Sequence, residues 1–502
     1  MFNPLNMPLY NKAAVVVAVG GFIFGLETGS IGPLTVMTSF SETFGNLSST
    51  IHGVVVSSIL IGGTASGLFA GNISDIYGRT FTITAGAIVF GIGATLECTA
   101  FQLGQFIAGR VIAGIGEGIF FCNLIVYVCE IAPARSRGPL CSVIQLMVQL
   151  GITLGYFISY GTARIKDSSL SWRIPLGVQA LVSFAFALAC FVLPPSPRWL
   201  LAKGRKPEAI STLEKLGLAS SELEEMLEKP SSEASSIIDM TLLSSIRANF
   251  RDMAQVFSPH ARKQTALACF MTAFQQFSGI DGVLYYAPLL FQQAGLQSEE
   301  ASFLASGVTA LIMLAVTVPA SIYADHWGRR MSVIIGGLIL TTCMLVIGSL
   351  YASNSVHSDT GAARWVVIVA IYIFAITYSV SFAISVRIYS SEIQPADTRA
   401  GATSLAQSAN WLANWIVAFT TPILLARSSF AVYYFFGFST LFAVLVCALV
   451  MPETKGKSLE AIDRAFNDGS VAKKWAFLGG KRHGEDGHVH QIGGSELLQS
   501  TV

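Results

Sequence analysis

The chain has 502 residues, of which 52% are hydrophobic and only 12% charged, with a net charge of +1. Soluble proteins carry roughly 25% charged residues, so this composition excludes a water-solvated globule and points to lipid as the solvent. The near-zero charge excludes a nucleic-acid partner, and eight scattered cysteines give neither a disulfide framework nor a zinc spacing.

The N-terminus lacks the short apolar run and cleavage site of a secretory signal, so the first apolar segment is expected to insert uncleaved. Stretches near the ~20 residues that cross a bilayer fall at 12–33, 52–71, 81–101, 104–128, 139–161 and 172–194. Residues 197–263 then alternate charge with apolar side chains, as in Glu222-Leu223-Glu224-Glu225-Met226-Leu227. Short amphipathic helices fit that pattern. Six further apolar stretches follow at 264–291, 301–324, 331–352, 365–390, 401–426 and 430–451. From 457 onward the chain turns polar and reads as a disordered tail; a solvated tail accounts for His483, His488 and His490 better than a metal site.

Three phrases recur in the same order, roughly 250–260 residues apart. Asp75-Ile76-Tyr77-Gly78-Arg79 returns as Asp325-His326-Trp327-Gly328-Arg329-Arg330, Glu130-Ile131-Ala132-Pro133 with Arg137 returns as Glu392-Ile393-Gln394-Pro395 with Arg399, and Pro194 to Arg198 answers Pro452 to Gly456. The expectation is an all-α membrane protein: twelve transmembrane helices in two pseudo-symmetric halves, 1–196 and 264–456, a cytoplasmic helical linker 197–263 and a tail 457–502. Doubled spanning halves are a mark of secondary transporters. Short loops with Arg79, Arg135, Arg137, Arg329, Arg330 and Arg399, and flanking Lys12, Arg198, Arg262, Lys263 and Lys455, place that face and both termini inside.

The loop charges can form an ion-pair lattice: Asp75, Arg79, Glu130, Arg137 and Arg198 in one half, Asp325, Arg329, Arg330, Glu392, Arg399 and Glu453 in the other. A lattice that breaks when one end opens biases the two states of alternating access by a few kcal/mol. Lone surface charges would contribute under about 1 kcal/mol each.

These phrases resemble the sugar porter family of the major facilitator superfamily, particularly its fungal branch, over about residues 12–460. Gly71, Asp75, Gly78 and Arg79 look like the superfamily loop motif. Gly109-Arg110, Trp172-Arg173, Pro197-Arg198, Gln275 to Asp281, Tyr285-Tyr286 and Pro452 to Gly456 look like the porter-specific ones. Pro195 departs from the family glutamate, so the first-half lattice is expected to be the weaker.

A sugar offers hydroxyls and a weakly apolar ring face, so its site needs amide and hydroxyl side chains plus an aromatic surface. The seventh span supplies Gln275, Gln276, Asp281, Tyr285 and Tyr286, with Gly279 and Gly282 between them allowing a bend or break. The resemblance implies sugar contacts from Gln275, Gln276 and Asp281, from Asn410, Trp411 and Asn414 in the eleventh span, from Gln145 in the fifth and from Phe24 in the first. Gln149 lies one turn beyond Gln145. Asp281 (for asparagine), Arg387 (for tryptophan) and Met313 (for asparagine) are departures that bear on which substrate is taken; Arg387 can snorkel to the interface.

An ionisable residue inside a span is a functional hypothesis by default. Glu27 stands where, by the resemblance, proton-coupled porters carry aspartate, and Arg110 lies at a similar depth, roughly 9 Å from the same side. The two can pair, and movement of the arginine would then switch a proton on and off Glu27. Glu117, two turns from Arg110, is an alternative partner, whereas Glu97 is read as solvated at the interface.

The favoured reading is a monomeric, proton-coupled hexose symporter of the plasma membrane, with sugar, protons and the bilayer as partners and no cofactor. Alternatives are a passive facilitator, a non-transporting sugar receptor (such sensors usually carry a longer tail) or a porter of quinate, inositol or a disaccharide. No nucleophile–base pair or phosphate loop marks an enzyme. Asn46-Leu47-Ser48 is an outer-loop glycosylation sequon, while Asn72-Ile73-Ser74, on the inner side, is expected to stay bare.

Overall fold

Every regular element among the described residues is an α-helix. The computed structural model describes residues 8–133, 136–165, 168–217, 256–258, 261–296, 298–323, 328–357, 361–395, 398–455 and 466. The first half comprises α1 (Leu9–Val36), a short α2 (Thr38–Phe44), α3 (Ser49–Tyr77), α4 (Arg79–Cys98), α5 (Leu103–Ile131), α6 (Arg137–Thr162) and α7 (Leu170–Cys190). In the linker stand α8 (Pro197–Ala202) and α9 (Lys206–Leu216). The second half comprises α10 (Arg262–Phe277), α11 (Ile280–Gln293), α12 (Glu299–Tyr323), α13 (Arg329–Ala352), α14 (Ala363–Val380), α15 (Phe382–Glu392), α16 (Arg399–Arg427) and α17 (Ala431–Val450). Among the described residues 11 helical runs are long and apolar enough to cross a membrane. The remaining crossing is the seventh span, divided between α10 and α11. Residues 218–255, Asp325, and the tail with its three histidines lie outside the described residues.

The division of the seventh span has a local cause. Gly279 sits at φ +92°, in the left-handed region, where a side chain is strained, and the Phe436 ring occupies the space a Cβ would need. Farther along α11, Pro288 has no N–H to offer the carbonyl four residues back, that of Leu284, and Tyr286 departs from helical geometry (φ −112°, ψ 15°). The tenth span divides between α14 and α15 at Ser381, whose hydroxyl donates to the Thr377 carbonyl at 2.5 Å.

Lipid gives helices no hydrophobic reason to associate, so close contact of small residues must do so. On α1, Gly25 and Gly29 lie against the backbone of Val148 and Ile152, and on α6 Gly151 and Gly155 lie against that of Phe22 and Leu26. Two glycine pairs at i, i+4 thus face each other. Two apolar cores result, one largely per half, and they exchange residues where the halves meet: Val148, Ile152 and Tyr156 join the second core, Tyr285, Tyr286 and Ala418 the first.

Candidate functional site

The recurring charged phrases come together at one end of the bundle, where α3 ends and α4 begins, and where α13 begins. Arg79 bonds Asp75 at 2.7 Å and Glu130 at 3.0 Å, and donates to the Ser74 carbonyl. In the second half Arg329 bonds Glu392 at 3.3 Å, and Glu392 accepts from the Thr454 hydroxyl at 2.6 Å. Each pair joins residues of one half. Among the described residues the ion pairs form one cluster in each half; Arg137 donates to the Ala132 carbonyl and Arg198 is exposed. Arg330 donates to the Ala448 carbonyl. Glu453 has a different task from ion pairing: its carboxylate accepts from the N–H groups of Arg329 (2.9 Å) and Arg330 (3.1 Å), satisfying the open N-terminus of α13. Asp325 and the Arg399 side chain lie outside the described residues.

Deep in the first half, Arg110 Nη1 donates to Glu27 at 2.6 Å and Nη2 donates to the Val56 carbonyl at 2.7 Å. Both side chains are buried, at 1% and 3% exposure. Glu97 stands 3.8 Å from the same Nη1 and is buried at 2%, not solvated at an interface as its position in the sequence implied. Gly109 is the reason: a Cβ there would stand 2.8 Å from the Glu97 side chain, so only glycine lets α5 approach α4 closely enough to cover the carboxylate. Glu117, on the same helix, is buried with Oε2 unpartnered.

The amides gather between the halves. Gln276 Nε2 donates to Asn410 Oδ1 at 3.2 Å, Asn410 Nδ2 donates to the Thr272 carbonyl and to Gln275 Oε1, and Gln275 Nε2 donates to the Phe382 carbonyl at 3.1 Å. In this cluster, among the described residues, the buried oxygens of Gln149 (Oε1), Gln276 (Oε1) and Asn414 (Oδ1) have no hydrogen-bond partner. Asp281 opens α11, where the exposed backbone N–H groups of a helix start favour a carboxylate, and it interacts with Gln276 and with the Arg387 guanidinium. Phe24 stacks on Phe121 with centroids 4.5 Å apart and faces Trp411 at 6.5 Å, forming the aromatic surface.

Three of the expected residues have protein partners of their own. Gln145 is engaged by Arg387, whose Nη1 donates to it at 2.8 Å across the halves, and it is Gln149, one turn on, that keeps an open oxygen. Arg387 spans the halves instead of snorkelling to the interface. The Tyr286 hydroxyl donates to the Ala418 carbonyl at 2.7 Å and its ring meets His52 edge-on at 5.3 Å, so it packs in the seam between halves. That seam lies at the end opposite the charged clusters, where Tyr156 donates to the Leu284 carbonyl, the Tyr285 backbone presses on Gly32 and the Phe419 backbone on Gly53.

The profile of a family described as "Sugar (and other) transporter" matches residues 13–466. The chain belongs to this sugar porter family. Among curated relatives, the porter is 27% identical to a high-affinity glucose transporter of Kluyveromyces lactis over 95% of this chain and 92% of that one. It is 31% identical to the high glucose sensor RGT2 of Saccharomyces cerevisiae over 92% of this chain and 61% of that one. Among solved structures it is similar to the xylose transporter XylE of E. coli in a partially occluded inward open conformation (TM-score 0.73, 26% identity, 89% of this chain and 99% of that one). A second XylE structure, a proton:xylose symporter bound to 6-bromo-6-deoxy-D-glucose, matches with TM-score 0.72 and 26% identity over 91% and 99%. The porter is thus a multi-pass membrane protein and a sugar transporter, not an enzyme. The burial of Glu97 has one local signal in the sequence, the glycine at 109.

Proposed function

We propose that the porter is a proton-coupled monosaccharide symporter, taking a hexose such as glucose, and that halves 1–196 and 264–456 rock about the amide cluster with 197–263 as the cytoplasmic linker. The observation that carries this reading is the buried contact of Glu27 with Arg110. An ionised carboxylate in a membrane interior is costly without a partner, and a guanidinium that can leave it makes proton uptake depend on conformation. Both named XylE structures and the glucose transporter relative support the substrate class.

The sugar hydroxyls donate to the open oxygens of Gln149, Gln276 and Asn414, while Asn410 and Asp281 hold Gln276 in place, Gln275 braces Asn410, and Phe24 and Trp411 face the ring. The contacts that seal one end support a conformation closed outside and facing inward. With the charged end cytoplasmic, both termini lie inside the plasma membrane, exposed Asn46 is available for glycosylation, and Asn72, buried, stays bare. The protein acts as a monomer.

The test is labelled glucose uptake into proteoliposomes with and without an inward proton gradient. Accumulation above equilibrium only with the gradient establishes symport; gradient-independent equilibration means a facilitator. The likeness to a glucose sensor favours a second reading, a receptor that binds sugar without moving it. Glucose binding with no flux in folded protein would establish that one.

A further inference from the structure

Four ionisable side chains are buried together in the first half, and their charges do not balance. Glu27, Glu97 and Glu117 are 3%, 2% and 1% exposed, and the cluster holds one guanidinium, that of Arg110. Arg110 Nη1 is at hydrogen-bond distance from Glu27 and 3.8 Å from Glu97. Its Nη2 is taken by the Val56 carbonyl. Glu117 has no ion pair within reach, and its Oε2 is buried with no hydrogen-bond partner.

The helix directs Glu117 at the cluster. Side chains on an α-helix lean toward its N-terminus, and residues seven apart share a face, so Glu117 leans along α5 toward Arg110. The titratable groups around it are Glu27 of α1, Arg110 of its own helix, Glu97 of α4, Cys122 five residues on and Tyr285 of α11. From α3, Ser66 approaches the next residue, Gly118, and is not titratable in this range. Both terminal nitrogens of the Arg110 guanidinium are engaged and only its Nε is open, so a carboxylate buried beside two others gains from holding a proton.

We propose that Glu117 is a second proton-binding site of the porter, neutral in this conformation and able to take the proton that Glu27 releases when Arg110 closes on it. The exchange balances without any co-reactant: the O–H bond of Glu27 breaks, its electrons stay on Glu27 as the carboxylate that Arg110 receives, and an O–H bond forms on Glu117. Along α5 the second site lies about 10 Å farther from the sealed end, in the direction of the charged end. The transfer step rests on the symport reading; the proton-holding role of Glu117 does not.

The experiment is infrared difference spectroscopy of the purified full-length protein in lipid, comparing wild type with Glu117→Gln and Glu117→Asp, paired with sugar accumulation and sugar exchange in proteoliposomes. The expected result is a carboxylic-acid carbonyl band at neutral pH that is lost in Glu117→Gln, displaced in Glu117→Asp and kept in Glu27→Gln. Alongside it, Glu117→Gln should lose tenfold or more of its gradient-driven accumulation while sugar exchange stays within twofold, which also shows that the variant folds. A spectrum identical in wild type and Glu117→Gln overturns the assignment, and so does full accumulation by that variant. If wild type itself fails to accumulate sugar, the symport reading falls, and the carbonyl band alone decides for or against Glu117.

Discussion

Tyr156 reaches across the interface between halves to donate its hydroxyl to the carbonyl of Leu284. That carbonyl is available because Pro288, four residues on, has no N–H to give it. A helix irregularity in one half therefore becomes a docking point for the other.

The bond should form only while the halves are closed at this end. Tyr156→Phe removes one buried hydrogen bond, about 1 kcal/mol, and should shift the ratio of the two conformations about fivefold toward the opposite state. Spin-label distances across the sealed end, measured in wild type and variant, would check this; an unchanged distribution would mean that the contact does not discriminate between states.

Glu27→Gln removes the carboxylate that Arg110 holds while keeping an acceptor of similar shape. The expected outcome is loss of gradient-driven accumulation with exchange retained within a few-fold. Arg110→Leu strands buried carboxylates instead, and should cost roughly 3–5 kcal/mol of stability, read as a fall in melting temperature.

At the amide cluster, Gln276→Ala and Asn414→Ala each remove an unpartnered acceptor. Losing one hydrogen bond to a sugar hydroxyl, about 1–1.5 kcal/mol, weakens sugar binding roughly tenfold. Tyr286→Phe loses a bond to the protein backbone, and calorimetric titration should show its affinity changed far less.

Two glycines of α6 should respond with opposite sign. A Cβ at Gly151 meets the Phe22 backbone, so Gly151→Ala should destabilise by about 1–3 kcal/mol. Gly161, near the end of the same helix, has nothing within 4 Å of a Cβ, and Gly161→Ala should be neutral or stabilising by up to about 1 kcal/mol. Thermal melts of the two variants give the comparison directly.

The span count, the doubled halves and the Glu27 contact with Arg110 were legible in the chain because each depends on local pattern: apolar length, repeated phrases, and depth counted along a helix. The seventh-span break was legible too, through Gly279. What escaped was set by approach between helices. Glu97 looked interfacial until Gly109 brought α5 over it, and Gln149 rather than Gln145 keeps the open oxygen because Arg387 arrives from the other half. Tyr286 carried the right chemistry for a sugar but faces Ala418. Such outcomes depend on which surfaces meet, and a one-dimensional pattern does not encode that.

Glu453 caps two backbone N–H groups at the start of α13, whereas the repeat places Pro195, which has no carboxylate to offer, at the related point of the first half. Duplication thus supplied both halves with the same arginine and glutamate pair, but only one with a brace on its helix end. Amide hydrogens at Arg329 and Arg330 should exchange with deuterium slowly and those at Arg79 and Thr80 quickly, so the two halves, alike in outline, fray from opposite degrees of restraint.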